Sequence, residues 1–283
     1  TPENICRTAE ICTKLMEEPG SPILGLHLEG HYLITKKAGA QLPDAIKNPK
    51  PEEYMPIIEK YPCIKRWDIA PELDGALELG AYLTSKGVLP SIAHTSAVYS
   101  DVVKGYEVGY RHATHFYNAM AGFHNVREYK EEGTVESIYL IDGITVEVIA
   151  DGIHVPIPLL KLVYKIKGVE GTALCTDGLS CSAGDENMYL DPRFVIENGV
   201  CKLADRSALA GSVATMDRLI RTMVEQVGVT FFDAVRMSSE TPARIMGVFD
   251  RKGSIKAGKD ADMCIYDTDL NLKSVIAMGK KIV

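Results

Sequence analysis

A chain of 283 residues that is 46% hydrophobic and 24% charged has the makeup of a soluble globular protein with a large core. Its formal net charge of −7 excludes a general nucleic-acid surface, which needs clustered cations to neutralise phosphate. Its sequence has no apolar run of membrane-spanning length, and its seven cysteines include no CxxC pair, so the expectation is a cytoplasmic protein with reduced thiols and no membrane partner.

Thr1-Pro2 is a helix start, and the chain opens without Met, which reads as a processed or truncated segment. Over 3–18, Ile5, Ala9, Cys12 and Leu15/Met16 share one helical face. Glu18-Pro-Gly-Ser-Pro22 stops that helix, and 23–28 reads as a buried strand ending at Glu29-Gly30. Residues 36–62 are polar and proline-spaced, a long excursion of the kind that lies over a site.

Strands and helices then alternate. Strand 64–70 precedes helix 72–86, and strand 88–93 ends at His94 before a helix over 100–108. Strand 112–116 carries His115, strand 144–150 runs into Asp151-Gly-Ile-His154, and a helix over 158–167 follows. Strand 172–176 ends at Asp177-Gly178. Such alternation predicts a parallel α/β sheet or barrel, with polar groups after the strands where barrel active sites sit. The strands so read number six, two short of a full eight-stranded barrel.

Beyond Asp177 the alternation loosens. Residues 188–203 read as short antiparallel strands with an Asn198-Gly199 turn. Ser212 is the expected cap of a helix that turns Met216, Leu219/Ile220, Met223 and Val227 inward. Helices over 231–238 and 243–246 follow, and 253–283 reads as short strands turning at Met278-Gly279-Lys280.

Singly, a histidine at a strand end is more often packed or exposed than ligating, and Asp-Gly is a common turn pair. Chance becomes a poor explanation when Glu29, His94, His115 and Asp177 each follow a separate strand. One carboxylate and two imidazoles suit a borderline divalent ion such as zinc and leave a position open for water. Asp177 is then the expected general acid–base. His154 is expected on substrate, because a fourth protein ligand closes the water position.

Arg127 is the local candidate for an anionic group, although Glu128, Glu131 and Glu132 beside it fit an exposed loop equally well. Leu209-Ala-Gly211 offers backbone N–H groups to a ligand or serves ordinary capping. His27, on the face opposite Leu28, is expected to be buried with a polar partner, whereas His31 and His124 read as loop residues.

The runs Gly25-Leu-His-Leu-Glu-Gly30, Ala93-His-Thr-Ser-Ala97, Ala113-Thr-His-Phe-Tyr-Asn-Ala-Met120, Ala150-Asp-Gly-Ile-His154, Thr176-Asp177 and Leu209-Ala-Gly-Ser212 together resemble the N-acetylglucosamine-6-phosphate deacetylases of the amidohydrolase superfamily. Thr241-Pro-Ala-Arg-Ile-Met-Gly247 and the stretch from Gly253 to Asp262 resemble the superfamily's C-terminal signature. The resemblance implies a metal-dependent-hydrolase, TIM-like β/α barrel over 1–250, N-truncated and lacking its first two strands. It implies that 251–283 are the C-terminal strands of a small β-sandwich. The implied reaction is hydrolysis of the N-acetyl group of N-acetyl-D-glucosamine 6-phosphate to glucosamine 6-phosphate and acetate, in amino-sugar catabolism. N-acetylgalactosamine 6-phosphate as substrate, or a non-catalytic barrel fragment, are the alternatives.

By matching motifs, Glu29, His94 and His115 hold one divalent ion, zinc first, with Fe2+, Co2+ or Mn2+ as alternatives. Asp177 is the implied catalytic residue, and Ala40, Gln41, Asn118, Ala119, Arg127, Asp151, His154, Leu209, Ala210 and Gly211 contact an amino-sugar phosphate. A homo-oligomer, dimer or tetramer, is also implied. Four local departures stand out: Gly30-His31 in place of Gly-Pro, Gln41 in place of a histidine, one extra residue before Arg127, and Gly178 in place of alanine. Relatives also carry about a hundred residues, the scale of a small domain, before the point matching Thr1. Those residues hold the first-strand histidines that some members use for a second metal, so one metal is expected here.

Overall fold

The Thr1 hydroxyl accepts from the Asn4 amide at 3.4 Å and Pro2 fills the first turn, which start helix α1 (Pro2–Glu17). This computed structural model describes residues 1–180, 182 and 191–283. Cys181 and the first part of the strands expected over 188–203 lie outside the described residues. α1 turns Ala9 and Cys12 inward and is tied to the chain near Tyr61, whose hydroxyl donates to Glu10 at 2.8 Å.

Strand β1 (Leu26–Tyr32) starts three residues later than expected and continues through Glu29. Leu26 joins by donating its amide to the Cys63 carbonyl, and the register with the next strand slips between Leu28 and Tyr32, which lets the strand run past the glutamate. Glu29 therefore lies inside a strand rather than after one. The proline-spaced stretch contains helix α2 (Pro51–Lys60), with Pro51 in its first turn and Glu52 and Glu53 facing its positive end. Proline density hides that helix in the sequence.

The repeating unit follows as β2 (Ile64–Ile69), α3 (Ala76–Ser85), β3 (Leu89–Ile92), α4 (Tyr99–Val108) and β4 (His112–Ala113). An antiparallel hairpin, β5 (His124–Val126) with β6 (Tyr129–Glu131), and helix α5 (Thr134–Leu140) come next, neither foreseen from the sequence. β7 (Thr145–Val148), α6 (Ile157–Gly171) and β8 (Thr172–Leu174) complete the unit. Six strands form one sheet in the order β1-β2-β3-β4-β7-β8, and every neighbouring pair is parallel. Parallel neighbours need crossovers, and the intervening helices supply them.

Trp67, Ile69, Ile92, Ala113, Val146 and Val148 are fully buried in this sheet, as expected where both faces are covered. Polar residues share its interior: Arg66 grips Glu147 with both terminal nitrogens, and the Thr114 hydroxyl donates to Asp68 at 2.6 Å. His27 has a polar partner as expected, Asp68 at 2.9 Å, but it is exposed rather than buried, with 36% of its side chain open.

Helix packing around the sheet is tight at Gly80 of α3. A Cβ there lies 2.3 Å from the ring of buried Tyr110, whose hydroxyl donates to Ala76 at 2.8 Å. Gly80→Ala is expected to destabilise by about 1–3 kcal/mol despite alanine's better helix propensity. A lower urea midpoint with an unchanged slope is the expected reading, and an unchanged midpoint contradicts the packing.

The later elements are a hairpin of β9 (Phe194–Glu197) and β10 (Val200–Leu203), turning at Asn198 and Gly199 with φ of 55° and 70°. Then come α7 (Met216–Thr222), which runs into a π-helical turn over 223–227, α8 (Phe231–Ser238) and α9 (Glu240–Ile245). Ser212 does not cap α7: its backbone bonds to Asp177 and Leu179 in an extended bridge, so the helix starts only after Thr215. β11 (Met263–Tyr266), β12 (Leu272–Ala277) and β13 (Lys280–Lys281) form a separate antiparallel sheet. Among the described residues no helix is long and apolar enough to cross a membrane.

Candidate active site

Three of the four candidate residues occupy backbone turns of positive φ just beyond strands: His94 after β3 (45°), His115 after β4 (30°) and Asp177 after β8 (46°). Such conformations are uncommon outside glycine and persist where the surroundings hold them. Here they bring the side chains toward Glu29. Its Oε1 lies 2.8 Å from His94 Nε2 and 2.9 Å from His115 Nε2, and the three ligand atoms lie within 4.8 Å of one another. Together they make a candidate metal-binding site.

The donor set fits a divalent ion. His94 Nδ1 sits 2.6 Å from the Lys37 carbonyl, an acceptor only, so that nitrogen carries the proton and a neutral ring leaves Nε2 with its lone pair. This is the outer-shell arrangement common to ligating histidines. Gln41 donates to the other oxygen of Glu29 at 3.0 Å.

Burial pushes the Glu29 carboxyl up, but its bonds to His115 and His94 outweigh burial and hold it well below the usual carboxylate range. Burial pushes His115 down, and Glu29's bond and charge, aided by Asp177 and Asp68, outweigh it and raise the imidazole to about 9. Near neutral pH the proton on His115 therefore occupies the place of a cation. Zinc binding at pH 7 is expected to release about one proton from His115, measured by calorimetry in buffers of different protonation enthalpy. Heats independent of the buffer contradict this. In the metal-free chain the raised pKa contributes stability that is full below about 6.5, the unperturbed value, and lost as pH rises through about 9.

Asp177 faces a cavity of about 640 Å3 whose wall includes Glu29, His94 and His115. It is open to the cavity water, yet the surrounding protein pushes its carboxyl up to about 6; His115 opposes the rise while the charges of Glu29 and Glu147 add to it. Ala40, Gln41, Asn118, Ala119, His154, Leu209, Ala210 and Gly211 line the same cavity. Asn118 is fixed by donating its side-chain amide to the His115 carbonyl at 3.1 Å. His154 lies between two oxygen acceptors, with Nδ1 2.7 Å from Asp151 and Nε2 3.2 Å from the Gly211 carbonyl.

Two expected contacts do not reach the cavity. Asp151 is 7% exposed and spends its carboxylate on the amides of Ile153 and His154 and on the His154 ring, so it orients His154 rather than meeting a ligand. Arg127 sits at the exposed tip of the β5–β6 hairpin with φ 57°, because the hairpin carries it away from the wall. Lys36, Lys37, Arg193 and Phe194 line the cavity instead. The Lys36-Lys37 pair ahead of Gly39 is a cationic signal in the sequence, whereas Arg193 has no such local sign. His31 is no loop residue: it lies in β1 against Tyr32 and Trp67, where burial pushes its imidazole down to about 4. His124 is exposed, 3.3 Å from Glu131, but it too lies in a strand, β5, rather than in a loop.

The chain belongs to the amidohydrolase family, whose sequence pattern matches residues 72–282. It is 34% identical over 265 residues to the N-acetylglucosamine-6-phosphate deacetylase of Bacillus subtilis, covering 92% of this chain and 65% of that protein. It is 29% identical to the N-acetylgalactosamine-6-phosphate deacetylase of Escherichia coli O157:H7, over 93% of this chain and 69% of that protein. The crystal structure of the N-acetylglucosamine-6-phosphate deacetylase from Pasteurella multocida superposes with a TM-score of 0.91 at 26% identity, covering 99% of this chain and 72% of the other. The chain thus spans about two thirds of the length of these curated relatives, and its six strands are an arc of the amidohydrolase β/α barrel.

Proposed function

We propose that the protein hydrolyses the N-acetyl group of an amino-sugar 6-phosphate, N-acetyl-D-glucosamine 6-phosphate first, to glucosamine 6-phosphate and acetate. The observation that carries this reading is the convergence of Glu29, His94 and His115 with Asp177 on one cavity wall. In this reading 1–250 form the barrel unit and 251–283 the C-terminal strands of a small β-sandwich, and the protein works as a homo-oligomer.

A divalent ion held by Glu29, His94 and His115, zinc by preference for this donor set, supplies Lewis acidity that polarises the acetyl carbonyl and lowers the pKa of water. Asp177, ionised above about pH 6, takes the proton of the attacking water. It returns that proton to the sugar nitrogen as the C–N bond breaks, and the second proton of the water, left on the acetic acid carboxyl, passes to the released amine or to solvent, so that acetate and the protonated amine leave. His154, held by Asp151 at 2.7 Å, is the imidazole on the cavity wall suited to contact the substrate. Asn118, Ala119 and the Leu209–Gly211 backbone position the sugar. Lys36 is the wall cation suited to the phosphate, since Lys37 already donates to the Met120 carbonyl at 3.2 Å and Arg193 is paired with the Asp191 carboxylate at 2.9 Å.

Acetate release from the two epimeric sugar phosphates, run side by side, tests the substrate. A higher kcat/KM for the gluco epimer is expected. The reverse ranking, which the Escherichia coli relative makes a real alternative, moves the assignment to the galacto epimer. No acetate from either favours a non-catalytic protein.

A further inference from the structure

Glu72 follows β2 and is absent from the cavity wall, yet both its carboxylate oxygens are used at the edge of the site. Oε2 accepts from the Thr95 hydroxyl and Oε1 from the Ser96 amide, each at 2.6 Å. The Thr95 hydroxyl in turn accepts from the Ala97 amide at 2.9 Å, and Thr95 is fully buried. These bonds fix the turn that begins with His94.

The same turn holds the next one. Thr95 donates its amide to the Ala119 carbonyl and its carbonyl accepts from the Ala121 amide, both at 3.1 Å, as a parallel bridge between Thr95 and Met120. The segment it secures has positive φ at His115, Tyr117 and Ala119, conformations that persist only where neighbours over-determine them. Among the described residues, Glu72 is the one charged group outside the cavity wall that bonds to Thr95 and Ser96.

We propose that Glu72 is a positioning residue, coupling the ligand histidine His94 to the substrate-side wall at Asn118 and Ala119 through Thr95. Its metal consequence rests on the proposed function; its structural consequence does not. In Glu72→Ala both acceptors vanish and the two turns loosen together. In Glu72→Gln the amide oxygen still accepts from Ser96, and the amide nitrogen donates to the Thr95 hydroxyl.

The test uses the purified protein and two readouts: hydrogen exchange at the Thr95 and Ala121 amides, and Zn2+ affinity by titration with the metal alone. Loss of hydrogen bonds to a charged group corresponds to roughly tenfold or more. Glu72→Ala is thus expected to exchange at Thr95 and Ala121 about tenfold faster and to bind Zn2+ about tenfold more weakly. Thr114, whose amide bonds to Ile92 inside the sheet at 3.0 Å, keeps its parental rate. Glu72→Gln returns both readouts close to parental values. Thr95→Val, which deletes only the hydroxyl, shows the same pattern at smaller size and serves if Glu72→Ala does not fold. Parental exchange and affinity in Glu72→Ala overturn the proposal, as does equal acceleration at Thr114, which signals general destabilisation. A parent that binds no Zn2+ sinks the metal reading alone, and the exchange comparison still decides for or against Glu72.

Discussion

Asp177→Asn is expected to lower kcat for acetate release by about a thousandfold, within the range removed with a general acid–base group, while Zn2+ binding stays near parental. Asparagine keeps the shape and a hydrogen-bonding side chain but cannot hold the transferred proton. The parental enzyme is expected to lose activity as pH falls through about 6, where Asp177 becomes protonated. A bound cation adds a positive neighbour and moves that limb lower. The same residue opposes folding at neutral pH. Its folded pKa is raised, so its stabilising contribution is present below the unperturbed value of 3.8 and lost as pH rises through about 6. Removing the charge is therefore expected to stabilise the metal-free protein at pH 7 by about 1 kcal/mol, a figure reduced for screening by cavity water. Parental turnover in Asp177→Asn removes Asp177 from the mechanism.

His115→Ala is expected to weaken Zn2+ binding by more than about a hundredfold, beyond what loss of an outer-shell partner produces, and to abolish acetate release with it. The imidazole gives Nε2 to the site and, without metal, its proton to Glu29. Its removal leaves the Glu29 carboxylate short of a charged partner, so the metal-free protein is also expected to lose about 1–3 kcal/mol at pH 7. Titration calorimetry and a denaturant melt read the two effects separately. Parental Zn2+ affinity in the variant places the ion elsewhere.

Much of the frame was legible because parallel strands buried on both faces leave apolar runs, and helices between them leave a different period. The strands ending near His94, His115 and Asp177 appear where that alternation places them. Glu29 was found for its residue type rather than its position, since the register slip that extends β1 depends on pairing with β2. α2 is hidden in the sequence because Pro51 and Pro56 have the character of breakers, whereas Pro51 occupies the first turn, where no amide donor is required. The cavity wall was harder to read. Arg127 and Lys36 differ less in local sequence than in where a hairpin or a loop carries them. Asp151 and His154 sit in one motif, yet only the loop path shows that one supports the other.

Hydrolysis by this protein is expected to depend on a cation at Glu29, His94 and His115. Acetate release from N-acetyl-D-glucosamine 6-phosphate, measured on chelator-stripped protein before and after one equivalent of Zn2+, tests it most directly. Negligible release that is restored by the metal is the expected result. Release that persists at full rate in the stripped protein, or none under either condition, contradicts it.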